Sequence, residues 1–140
     1  MQYICLNKKQ IILHLIIKTM ANAINWFELP ANNFARAKEF YGKVLEAELQ
    51  EMEMNGSQMA FFPSDQQGVG GCIVAGNGST PQADGSLIYL NGGDDLNTPL
   101  GRVEAAGGKV IMPKTNIGEN GNIAMFMDTE GNRVAFHSMG

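Results

Sequence analysis

The sequence predicts an α+β fold: two tandem βαβββ modules forming a half-open curved mixed sheet, a barrel-like cup, with helices outside. Three observations carry this. Residues 121–140, GNIAMFMDTEGNRVAFHSMG, read as strand, tight turn and strand. Residues 57–76, SQMAFFPSDQQGVGGCIVAG, repeat that layout 64 positions earlier, matching Ala60 with Ala124, Phe62 with Phe126 and Gly71 with Ala135. Each half also runs strand, helix and three strands, with helix caps Asn33 and Asp95 62 positions apart and Trp26 and Ile88 at the same offset. A period of about sixty is a duplicated unit, not a solenoid array. One module alone leaves a sheet face uncovered, so two together enclose a hollow suited to a small molecule.

The elements follow in order. Residues 24–29, INWFEL, form a strand led by β-branched and aromatic residues and closed by Pro30. Period two puts Trp26 and Glu28 on one face, Phe27 and Leu29 on the other. Asn32 or Asn33 caps a helix whose apolar stripe is Phe34, Ala37, Phe40, Tyr41, Val44 and Leu45. Glu39 and Lys43 make an i,i+4 pair worth about 0.3 kcal/mol. Residues 46–54 read as a strand, Asn55-Gly56 as a hairpin turn, and residues 58–62 and 69–75 as two more strands. Residues 77–85, NGSTPQADG, are a polar linker.

The second half opens with a strand over 86–91. Asp94 or Asp95 caps a helix carrying Leu96, Leu100, Val103 and Ala106; Pro99 fits its first turn and Gly107-Gly108 ends it. Residues 109–112 form a strand and 113–122, PKTNIGENGN, a long polar loop with the makings of a lid. Residues 123–127 and 133–137 are the closing strands, joined by the turn residues 128–132.

Module one thus covers about 24–76 and module two about 86–138, within one domain spanning 20–140. Residues 1–19 differ from everything after them. Their apolar run, 11–17, is too short to span a bilayer and is broken by His14. They read as an extension without function, with Met20 as the natural start, so neither secretion nor a membrane is expected and the cytoplasm is. The net charge of -4 offers no basic patch for nucleic acid. Cys5 and Cys72 have no metal-like spacing and read as buried thiols.

Three segments, FELPANNFARAKEFYGKVL, DDLNTPLGRVEAAGGKV and AMFMDTEGNRVAFHS, resemble in order and spacing the glyoxalase / bleomycin-resistance / extradiol dioxygenase family, the vicinal oxygen chelate superfamily. The resemblance covers about residues 24–138. It implies paired modules, a half-open barrel and a homodimer. It also implies, in many members, a divalent metal held by up to four side chains, which map here to Trp26, Gly71, Ile88 and Ala135. The last lies where the family's D-x-x-G-x-x-x-E pattern has its Glu. None of the four ligates through its side chain, so no metal and no cofactor are expected.

The candidates are then the remaining polar and aromatic groups of the cup. Glu28 shares a face with Trp26 and is either a general base or the partner of a cation such as Arg133. His137 lies two residues beyond Ala135 on the same face, either moving a proton or hydrogen-bonded at the rim. Trp26 and Phe62 are candidate ligand walls or simply packing. Lys114, on the polar loop, would meet an anion. The resulting expectation is a metal-free glyoxalase-like protein, dimeric, binding an unidentified small molecule. Two alternatives stay open: a lyase or isomerase with a non-standard site, and an antibiotic-sequestering resistance protein.

Overall fold

The computed structural model describes residues 22–140, so the expectation for residues 1–19 lies outside the described residues. In chain order the elements are β1 (Trp26–Pro30), α1 (Phe34–Leu45), β2 (Gln50–Met54), β3 (Ser57–Phe61), β4 (Gly70–Ala75), β5 (Ile88–Asn91), α2 (Asn97–Val103), β6 (Lys109–Asn116), a 3₁₀ turn (Gly118–Asn120), β7 (Asn122–Met127) and β8 (Arg133–Ser138). The βαβββ order occurs twice. The strands form two four-stranded mixed sheets, ordered β1-β4-β3-β2 and β5-β8-β7-β6. In each, the first strand runs parallel to the last and the other pairs are antiparallel.

Local chemistry explains the boundaries. Asn33 Oδ1 accepts the Arg36 N–H at 3.0 Å and starts α1. Glu46, at φ +47°, closes the helix in the left-handed region, which delays β2 to Gln50 rather than the expected 46. Asn55 (φ +53°) and Gly56 (φ +81°) make the two-residue hairpin between β2 and β3. In the second half the cap is Leu96, one residue beyond the expected Asp95 and without a side-chain cap bond; Asp95 Oδ1 accepts the Asn97 N–H at 3.0 Å, and Pro99 sits in the first turn of α2.

The largest departure from expectation is β6. It runs through Pro113 to Asn116, so half of the anticipated polar loop is strand. β6 lies at the sheet edge, and its register shifts twice, between Val110 and Met112 and between Met112 and Thr115. An edge position with irregular pairing is where a sheet tolerates Pro.

One buried cluster draws on both halves: Phe40, Tyr41, Val44, Ala60 and Ile73 meet Leu96, Val103, Phe126, Val134 and Phe136. The two helices touch, and each packs on its sheet's inner face. Phe40 and Tyr41 stand against Phe126, with ring centroids 6.0 and 6.5 Å away.

The β7–β8 turn locks the halves together. Glu130 Oε1 accepts the N–H groups of Asn32 (3.0 Å) and Asn33 (2.7 Å), and its Oε2 accepts Arg36 Nε at 2.7 Å. Its carboxylate thus sits on the N-terminus of the other half's helix, where the helix dipole favours an anion. Burial pushes this carboxyl upward, but hydrogen bonds from Arg36 and Asn33 outweigh it and hold it below the usual range. Beside it, the buried Tyr41 hydroxyl donates to Asp128 Oδ2 at 2.7 Å, and Asn132 Nδ2 donates to the Pro30 carbonyl at 2.8 Å.

Candidate functional site

Strand register decides which side chains can serve a site. In the first sheet the inner face carries Leu29, Ile73 and Ala60, all in the core. The opposite, open face carries Trp26 beside Gly70, then Glu28 beside Cys72 beside Phe61, then Val74 beside Met59 beside Met52. In the second sheet the open face carries Tyr89 beside Ala135 beside Met125, then Asn91 beside His137 beside Ile123. Large apolar groups remain half-exposed there: Trp26 46 %, Met52 49 %, Met54 51 % and Tyr89 48 %.

The same register corrects the mapped metal positions. Gly71 pairs with Phe27 on the inner face, where an added Cβ would collide with the Phe27 ring. Ile88 packs against the core. The open-face neighbour of Trp26 is Gly70, and that of Ala135 is Tyr89. The error arose at the second helix cap: α2 is capped at Leu96 and not at Asp95, so the halves are offset by 63 residues and Trp26 corresponds in facing to Tyr89. A period of two turns a one-residue slip into the wrong face.

The corrected set, Trp26, Gly70, Tyr89 and Ala135, still lacks imidazole, carboxylate and thiolate. Among the described residues no three His, Cys, Asp or Glu side chains gather into a group able to hold a metal ion. The donors present therefore do not fit the divalent metal that many such folds carry.

The predicted site residues separate into distinct surroundings. Trp26 and Glu28 lie on the open face of the first sheet, with Glu28 Oε2 3.7 Å from the Cys72 thiol. His137 lies on the open face of the second sheet and borders a hollow of about 960 Å³ with Tyr89, Asn91, Ile117 and Ile123. Its Nε2 is 2.6 Å from the Asn120 carbonyl. A carbonyl only accepts, so Nε2 carries the proton. Phe62 is buried, edge-on to Tyr41 at 5.3 Å, and forms part of the wall of a cleft of about 530 Å³ between the halves. Lys114 Nζ is paired with Asp95 at 2.9 Å.

Sequence reasoning read Cys72 only as a buried thiol, not as the neighbour of Glu28, and gave Tyr89 no role at the site. Both would have surfaced had β1–β4 and β5–β8 been paired residue by residue. Burial raises the Cys72 thiol to about 12, with the Glu28 charge and hydrogen bond adding to the rise and Trp26 opposing it. Tyr41 is likewise raised well above its ordinary value, first by burial and then by Asp128. Both groups are held neutral by the fold. Their contribution to stability is complete below the unfolded values, near 9 and 10, and is lost as pH rises toward the folded ones. We therefore expect the melting temperature to fall from about pH 9 upward. Cys72→Ala should move the start of that fall toward pH 10; an unchanged profile in a thermal melt series would exclude Cys72 as its source.

Comparison with known proteins adds the following. Residues 23–136 match the sequence model of the Glyoxalase/Bleomycin resistance protein/Dioxygenase superfamily. Among solved structures, glyoxalase I from Zea mays superposes with a TM-score of 0.60 at 18 % identity, covering 82 % of this chain and 45 % of the maize chain. The chain thus spans less than half of that protein. A glyoxalase/bleomycin resistance protein/dioxygenase family enzyme from Burkholderia phytofirmans PsJN gives 0.59 at 13 % identity, covering 83 % and 98 %. The trypanothione-dependent glyoxalase I of Leishmania major gives 0.63 at 9 % identity, covering 85 % and 88 %. No curated protein matches the sequence.

Proposed function

This chain belongs to the Glyoxalase/Bleomycin resistance protein/Dioxygenase superfamily, and on that premise we propose that it is a metal-free, homodimeric small-molecule-binding protein. The carrying observation is the make-up of the open faces. They are apolar and half-exposed, and the mapped metal positions hold Trp26, Gly70, Tyr89 and Ala135. An indole, a bare backbone, a phenol and a methyl group favour contact with an apolar ligand over coordination. The buried free thiol of Cys72 suits a reducing compartment, in keeping with a cytoplasmic place.

Dimerisation follows from the same surfaces. Trp26, Met52, Met54 and Tyr89 are large apolar groups left to water in one chain. Covering the open face of one copy's first sheet with its partner's second sheet would turn two shallow faces into a closed cup.

Two measurements test this reading. Sedimentation equilibrium should give twice the chain mass, and Met52→Glu with Met54→Glu should shift the species to a single chain. Elemental analysis of the purified protein should find far less than one divalent ion per chain. A stoichiometric metal, or a monomer at all concentrations, overturns the corresponding half of the proposal.

A further inference from the structure

The open face of the first sheet has a charge pattern that specifies its ligand further, on the reading that this face is a binding site. The strand residues sharing the face come from β1, β4, β3 and β2, and Glu28 alone among them is charged. Its carboxylate is exposed, and among the described residues no Lys or Arg lies within 4.0 Å of it. Among the described residues the Cys72 thiol donates a hydrogen bond to it at 3.7 Å.

Next to this carboxylate is an aromatic platform. The Trp26 ring lies over Gly70: a Cβ at Gly70 would come within 3.0 Å of Trp26 Cζ3. Gly70 therefore lets the indole rest against the strand. Phe61 supports it from the side, with ring centroids 5.8 Å apart at 57°. Trp26 keeps nearly half its surface open. Met52 and Met59 extend the platform with flexible, polarisable side chains.

We propose that this face binds an apolar organic cation, with its hydrocarbon on Trp26 and Phe61 and its positive charge toward Glu28. The π-faces of indole and benzene rings attract cations. A lone carboxylate on an apolar surface does so more strongly, and repels an anion of the same shape. The net charge of -4 adds a long-range field of the same sign. The Cys72 thiol, raised to about 12, stays neutral and supplies no competing charge.

The test uses a pair of ions of matched shape, tetraphenylphosphonium and tetraphenylborate. Trp26 is the single tryptophan of the chain, so its fluorescence reports this face alone. The intact protein should bind the phosphonium saturably, quenching Trp26, and bind the borate about tenfold or more weakly. Glu28→Gln should weaken phosphonium binding about tenfold and leave the borate no weaker. Equal affinity for both ions, or a Glu28→Gln protein that keeps the preference, overturns the cation assignment while leaving the face a ligand site. If calorimetry detects neither ion and Trp26 is silent, the binding-site reading falls along with it.

Discussion

Asp128→Ala is expected to remove about 4 kcal/mol of unfolding free energy, enough to unfold much of a marginally stable domain. The side chain is buried and accepts four hydrogen bonds. Two come from the N–H groups of Glu130 and Asn132 at 2.9 Å, one from Asn132 Nδ2 at 2.9 Å, and one from the Tyr41 hydroxyl at 2.7 Å. Truncation strands all four donors in a place water reaches poorly. The turn shape and the link to α1 depend on the same oxygens, so the loss exceeds that of one contact. Tyr41→Phe removes a single donor and should cost only about 1–2 kcal/mol. Urea unfolding of the three proteins decides the matter. A loss below about 1 kcal/mol for Asp128→Ala would mean that the network is not what holds the turn.

Phe126→Ala is expected to cost about 3–5 kcal/mol. Phe126 is fully buried and its ring meets Phe136 at 4.9 Å, Phe40 at 6.0 Å and Tyr41 at 6.5 Å. These partners come from both halves, two from α1 and one from β8, so no one of them can move in to fill the space. Phe62, its counterpart in the repeat, borders the cleft between the halves. Phe62→Ala should therefore be milder, because that cavity opens toward solvent instead of closing. Equal losses at the two positions, measured by denaturant midpoint at constant slope, would refute the difference in packing.

Much of the fold was legible because its signals are local. The Asn33 cap, the stripe from Phe34 to Leu45, the Asn55-Gly56 turn and the Asp128–Asn132 turn each follow from side chains within a few residues of one another. The alternation in β1 was also legible, since Trp26 and Glu28 are exposed while Leu29 is buried. Two failures are local, the left-handed cap at Glu46 that delays β2 and the second helix cap at Leu96, and the others are pairings over distance. The length of β6 depends on β7 supplying an edge partner for a segment containing Pro113. The facing of Ile88 depends on its register with Val134, which no periodicity within a four-residue strand reveals. For the same reason the site was only half legible. Trp26 and Glu28 were placed together correctly, but their neighbours Gly70 and Cys72 belong to a strand 44 residues away.

The clasp of Glu130 on Asn32 and Asn33 joins residues 98 and 97 positions apart. Protein synthesis proceeds from the other end. While the ribosome is still making the second half, α1 has its own Asn33 cap but lacks the anion on its first turn, and Phe40 and Tyr41 lack the ring of Phe126. The first half must wait in an unfinished state, with its apolar helix face uncovered, until the last hairpin emerges. Premature termination anywhere before residue 130 should therefore yield not a smaller working protein but a sticky fragment that depends on chaperones.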